Sequence, residues 1–171
     1  MRRWNWILGT TMLLALTACQ SDLPESVVLA YVDLPETVDF NFHIQPILSD
    51  RCYSCHGPDE VSRKAGLRLD LQEAAFAKLE SGKVAIRKGK PWKSELVNRI
   101  LHDDPEIVMP TPESNLSLTD EEKAYLIKWI EQGAEWKEHW AFEAPTLPEI
   151  PEIEDKNMRV NNSIDNFIIA Q

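Results

Sequence analysis

The chain has 171 residues, and its 28 acidic against 18 basic side chains give a formal net charge of -10. That length allows one domain plus tails. The charge excludes a nucleic-acid binder, because phosphates require a basic surface.

Taken from the start, Arg2 and Arg3 precede an apolar run from Trp6 to Ala15, then Leu16-Thr17-Ala18-Cys19. A charged start, a short apolar core and small residues before a cut read as an export signal over 1–18. It is too short to stay in a bilayer as a spanning helix. The small residues leading to Cys19 resemble a bacterial lipobox. That resemblance implies that Cys19 becomes an acylated N-terminus, anchoring the chain to a bacterial membrane and facing the periplasm or the cell exterior. The alternative is an ordinary signal peptide with an incidental cysteine. With one of three cysteines used this way, none remains for a disulfide between distant segments.

Residues 19–38 are acidic, carry Pro24 and Pro35, and show no clean period. They read as a tether, with an edge strand in "SVVLAYV" as the alternative. From 39 the pattern sharpens. Phe40, Ile44, Ile47 and Leu48 recur at helical spacing and predict a helix from about 42 into Cys52. Pro46 must sit in its first turn or distort it, and Gly57-Pro58 ends it.

"AGLRLDLQEAAFAKL" predicts a short extended piece and a helix over 71–79. A basic cluster follows: Lys83, Arg87, Lys88, Lys90 and Lys93. Ser94 reads as the cap of a helix with Leu96, Val97, Ile100 and Leu101 on its stripe, closed by Asp103-Asp104-Pro105. A proline-bracketed loop, "VMPTPESN", precedes the clearest element, a helix over 120–132. Thr119 and Glu122 form its capping box, and Gly133 sits where a C-terminal cap belongs. Pro145, Pro148 and Pro151 then read as a stiff linker over 143–162, and an amphipathic pattern begins at 163–171.

The chemistry concentrates in "RCYSCHGP" at 51–58. Cys-x-x-Cys-His has three physical readings. Two thiols at this spacing can form thioethers to the vinyl groups of a haem, with the next histidine as an iron ligand. They can be half of a zinc site, which needs two more ligands. They can be a redox pair, which expects a strand–helix context. No further cysteine pair is available, no strand pattern surrounds the motif, and the export signal suits the first reading. Haem would also give a small domain without distant disulfides an apolar plate to fold around.

A sixth iron position then needs a ligand. Met109, in the proline-stiffened loop, is one candidate, and its alternative is plain core packing. His102 competes with it but reads better as a helix-end residue. His43 and His139 read as surface or packing residues, Arg63 and Lys64 as solvated. Arg68, Lys90 and Trp92 are candidates for contacts to anionic haem propionates, against a bland solvated loop. No nucleophile–base pair and no phosphate loop is present.

The segments "VDFNFHIQPILSDRCYSCHGPD", "RKAGLRLDL", "GKPWKSELVNRI", "DDPEIVMPTPE" and "LTDEEKAYLIKWIEQGAEWKEHWAF" together resemble the planctomycete-type cytochrome c domain, a class I cytochrome c relative, over 39–142. The resemblance implies an all-α, cytochrome c-like fold of three to five short helices around one covalent haem c. It implies Cys52 and Cys55 as attachment points, His56 as proximal ligand and Met109 as distal ligand. "SIDNFIIAQ" resembles the opening of a large uncharacterised domain that often follows this cytochrome.

The resulting expectation is a non-enzymatic, membrane-tethered carrier of single electrons. Its protein redox partners would dock through a basic patch. A haem relay module of a larger enzyme and a haem-based small-ligand sensor are the alternatives.

Overall fold

The computed structural model describes residues 23–138, 140–142, 144–145, 147–153 and 160–170. The expected signal, Cys19 and His139 lie outside them. The chain divides into two compact units, the first ending at Lys137 and the second running from Glu138.

The first unit is helical. In chain order it has α1 (Glu25–Asp33), a π-turn (Phe40–Ile44), α2 (Gln45–Arg51), α3 (Tyr53–His56), α4 (Gln72–Phe76), α5 (Glu95–Ile100) and α6 (Asp120–Glu131). Short 3-10 turns lie at Pro91–Lys93 and Pro112–Ser114. Among the described residues there is no strand, only an isolated antiparallel bridge between Lys78 and Val84. The fold is all-α, as expected of a cytochrome c-like domain. No helix among the described residues is long and apolar enough to cross a membrane.

α6 organises the core. Both halves of its capping box are made: the Glu122 amide donates to Thr119 Oγ1 (3.1 Å), and the Thr119 amide donates to Glu122 Oε2 (2.7 Å). Its inner face buries Ala124, Leu126, Ile127, Trp129 and Ile130. Trp129 is 1 % exposed, and its indole N–H donates to the Glu135 carbonyl at 2.9 Å. Phe40 packs against both Trp129 and Trp136, with ring centroids 5.7 and 4.4 Å apart.

The tether reading of 19–38 fails over its described part. Residues 25–33 are a helix, and Val27, Leu34 and Val38 are buried in the core. Polar straps hold the segment to α6. Gln132 donates to the Glu36 carbonyl (2.6 Å) and accepts from the Val38 amide (3.0 Å). Tyr31 hydrogen-bonds Glu131, and the Lys128 ammonium lies 5.1 Å over the Tyr31 ring. Burial, then the Glu131 carboxylate, pushes the Tyr31 phenol up to about 12.

Pro46 does both things asked of it. It stands in the first turn of α2, and the turn before it is widened to π, with the Gln45 amide reaching back to Phe40. The missing N–H and the ring's clash with the preceding turn account for this. Asp39 caps the π-turn by accepting from Phe42 at 3.0 Å. α4 stops at Phe76, shorter than the predicted 71–79, because Ala77 turns extended into the Lys78–Val84 bridge.

Ser94 does not cap α5 with its side chain. Its hydroxyl is fully buried, accepts from the Arg87 amide (2.8 Å) and donates to the Lys90 carbonyl (3.0 Å). It ties the basic loop instead.

The second unit holds a 3-10 turn (Trp140–Phe142) and α7 (Ser163–Ile169), capped by Asn162 with Asp165 closing the box. The Asn166 side-chain Nδ2 donates to the Pro151 carbonyl at 2.9 Å. The described linker residues between them carry no helix or strand.

Candidate functional site

The Cys-x-x-Cys-His segment sits at the junction of α2 and α3. The Cys52 amide continues the α2 ladder to the Leu48 carbonyl (2.9 Å), and the Cys52 carbonyl accepts from Cys55 (3.1 Å) and His56 (2.8 Å). Both thiols and the imidazole thus ride on one tight helical turn. Gly57 ends it at a place where no side chain fits, since a Cβ there would collide with the Tyr53 carbonyl.

The following loop is stitched back onto the turn. The Lys64 amide donates to the Cys55 carbonyl, and Leu69 to that of His56, each at 2.8 Å. Arg63 is not merely solvated. Its guanidinium donates to the carbonyls of Gly57 (3.2 Å) and Pro58 (2.7 Å), closing the exit from the motif.

Cys52 and Cys55 are free thiols, both half-buried. Cys52 packs against the core. Burial, then the nearby Glu122, pushes its thiol up to about 12, against the pull of Arg51. An activated redox cysteine needs the opposite, a stabilised thiolate. Among the described residues no group of three or more His, Cys, Asp and Glu converges to hold a metal ion.

His56 is half-buried, and its Nδ1 is buried without a hydrogen-bond partner. Burial pushes the imidazole below its usual range; the Lys64 backbone opposes this and the positive Arg99 adds to it. A neutral imidazole is the form that binds iron. An orphaned buried ring nitrogen is rare in a finished protein. Two free thiols beside such a ring fit a haem attached through Cys52 and Cys55 and ligated by His56.

Met109 lies in a groove of about 270 Å³ whose walls include Ile100, Leu101, Val108, Pro110, Leu116 and Leu118. Cys52, Cys55 and His56 do not line it. What joins the two sites is α5. The Met109 amide donates to the Arg99 carbonyl (3.1 Å), and the Arg99 guanidinium donates to the Ile107 carbonyl (3.3 Å) and pairs with Glu95 (3.0 Å). The same guanidinium acts on His56. Sequence reasoning missed Arg99, which looked like an ordinary charged position on a helix; its i, i+4 spacing from Glu95 was the available signal.

Residues 52–114 match the family model described as Planctomycete cytochrome C. That match supports a planctomycete-type cytochrome c domain over those residues. That family implies covalent haem c and suggests a haem-based electron-transfer role for the domain. No curated protein and no solved structure matches the chain.

The remaining candidates of the cytochrome c domain are scattered. His102 is exposed and lines the Met109 groove, but its Nδ1 accepts from the Asp104 amide at 3.0 Å, an ordinary helix-end arrangement. His43 stacks on Tyr125 with ring centroids 5.0 Å apart, a packing role as expected. Arg68 is engaged by Asp70 through both Nε (3.0 Å) and Nη2. Lys90 is exposed on its loop. Trp92 lines a different groove, against α1. Arg68, Lys90 and Trp92 are not brought together at the Met109 groove.

Proposed function

We propose that this chain is an exported, membrane-tethered c-type cytochrome that passes single electrons between protein partners. Cys52 and Cys55 would hold the haem covalently, His56 and Met109 would ligate it, and Cys19 would carry the lipid anchor. The observation that carries this reading is the Cys52/Cys55/His56 turn inside the matched family region, with two free thiols beside a half-buried imidazole whose Nδ1 is buried without a hydrogen-bond partner. When bound, the haem supplies an iron that cycles between ferrous and ferric states.

The chain's own residues do the rest. α3 fixes the two thiols in register. Burial keeps His56 neutral and able to bind. Arg99 ties the Met109 loop to the helix whose charge reaches His56. A methionine sulfur in the sixth position favours electron transfer and raises the potential relative to a second imidazole. The net charge of -10 suits a partner with a basic docking patch, and that docking should weaken with salt.

The test is expression through a haem-attaching export route. The product should carry one haem by mass and show a reversible one-electron couple. In the ferric state it should show the weak far-red band of methionine ligation, and Met109→Ala should lose that band and lower the potential. A colourless product with the mass of bare polypeptide plus lipid would end the proposal. Ready binding of carbon monoxide by the unmutated ferrous protein would favour an open, sensing iron instead.

A further inference from the structure

α1 is apolar on both sides. Val27 and Leu34 face the core, while Val28, Leu29 and Val32 are 43 %, 64 % and 75 % exposed. The inward side explains why the helix forms; the outward side has no structural use. Val28 and Val32 line one groove together with Leu23, Tyr31, Pro91 and Trp92, over a floor of Ile127; the one acidic residue in its lining, Glu131, is engaged by the Tyr31 hydroxyl. Trp92 is 43 % exposed at the rim of that groove. Indole rings of this kind favour the boundary between water and lipid, where an apolar body and a polar N–H are both satisfied.

The charge around Trp92 is the reverse of the chain's. Residues 81–94 carry Lys83, Arg87, Lys88, Lys90 and Lys93 and no acidic residue, in a chain of net charge -10. Lys83 is spent on Glu95, and Lys88 lies over the Phe76 ring. Arg87, Lys90 and Lys93 are exposed and make no ion pair among the described residues. An exposed aromatic between free cations, beside an apolar strip, matches an anionic phospholipid surface in both hydrophobicity and charge.

Position supplies the third argument, and it rests on the lipid anchor proposed above. Only residues 20–24 separate Cys19 from the start of α1. Fully extended, that span reaches at most about 20 Å. An acylated Cys19 would therefore hold α1 close to the headgroups.

We infer that the outward face of α1, with Trp92, Lys90 and Lys93, is a membrane-docking surface that seats the cytochrome domain on an anionic bilayer. The acyl chains would hold the protein to the membrane; this face would set its attitude. Trp92 and Lys90, two of the candidates for propionate contacts, find a use here.

The experiment uses the mature full-length protein in vesicles of phosphatidylethanolamine and phosphatidylglycerol that contain a phospholipid with a photoactivatable acyl chain. Crosslinks are mapped by mass spectrometry, which also reports acylation of Cys19. Crosslinks are expected within 28–32 and 91–93 as well as near the N-terminus. Leu29→Gln with Val32→Gln should leave the protein acylated and vesicle-bound while those crosslinks disappear. Lys90→Gln with Lys93→Gln should lower their yield roughly fivefold or more, and omitting phosphatidylglycerol should do the same. Crosslinks confined to the N-terminus of an acylated, vesicle-bound protein would overturn docking and leave the anchor standing.

A mass without acyl chains would instead remove the anchor. Docking would then stand only if the unacylated protein still sediments with phosphatidylglycerol vesicles at low salt and crosslinks at 28–32. Protein–protein crosslinks at this face, abolished by Val32→Gln, would make a second copy the occupant and overturn the membrane reading.

Discussion

The α6 wall and the cysteine turn of the same unit are held by opposite means. α6 buries five side chains and is strapped to α1 and the following segment by Gln132, Lys128 and Glu131. α3 buries none, and neither does the 3-10 turn after Met109. The cysteine turn is fixed through backbone amides and Arg63, and the Met109 loop through its own amide and Arg99. A wall built from apolar contact is complete without any further group. A turn built from peptide hydrogen bonds, with free thiols and an orphaned ring nitrogen, would gain such contact from the haem proposed above. The difference separates what the polypeptide stabilises alone from what it presents to a prosthetic group.

That contrast can be attacked first where the effect is total. Replacing both Cys52 and Cys55 by Ala should abolish covalent haem and leave α1 and α6 folded. Hydrogen exchange should then show slow amides in 124–130 and fast ones in 52–69 and 107–118. Equal protection in both regions would erase the distinction.

Next is the wall. Trp129→Ala removes the largest buried side chain and should cost about 3–5 kcal/mol in denaturant unfolding. Ser94→Ala strands the Arg87 amide in a buried site and should cost about 1–3 kcal/mol by the same measurement.

The smallest effect is electrostatic. Burial disfavours the charged Glu95 carboxyl, but Lys83 and Arg99 overcome it and hold the group below its usual range. A folded value below the unfolded one contributes stability above the ordinary carboxylate range. That contribution is lost as pH falls through the lower, folded value. Glu95→Gln should therefore flatten the acid limb of a melting-temperature profile and leave the neutral region less changed. An unaltered acid limb would show that the Lys83–Glu95–Arg99 group is idle.

The parts that were legible in the sequence have local causes. α6 was readable to within a residue because Thr119 and Glu122 announce its start and one apolar stripe marks its face. The Cys-x-x-Cys-His turn was readable because its chemistry is written in adjacent residues. α1 was not, because Val28, Leu29 and Val32 on the outer side erase the period that Val27 and Leu34 set on the inner side. Ser94 and Arg99 were misread or missed for another reason. The partners of Ser94 are backbone groups of a loop, which no side-chain pattern reveals; the pattern showed the Glu95 partner of Arg99 but not its bond to the Ile107 carbonyl. The Met109 loop was found through its prolines, but its attachment to α5 depends on the Arg99 carbonyl and had no signature.

Glu122 has a consequence beyond its cap. One oxygen closes the start of α6 and the other takes the Arg51 guanidinium at 3.0 Å, the residue just before the first thiol. Any swivel of the attachment turn about its own axis would have to pull open the first turn of the longest helix. A group attached at Cys52 would thereby be geared to the start of α6, so that its seating and that cap would shift together.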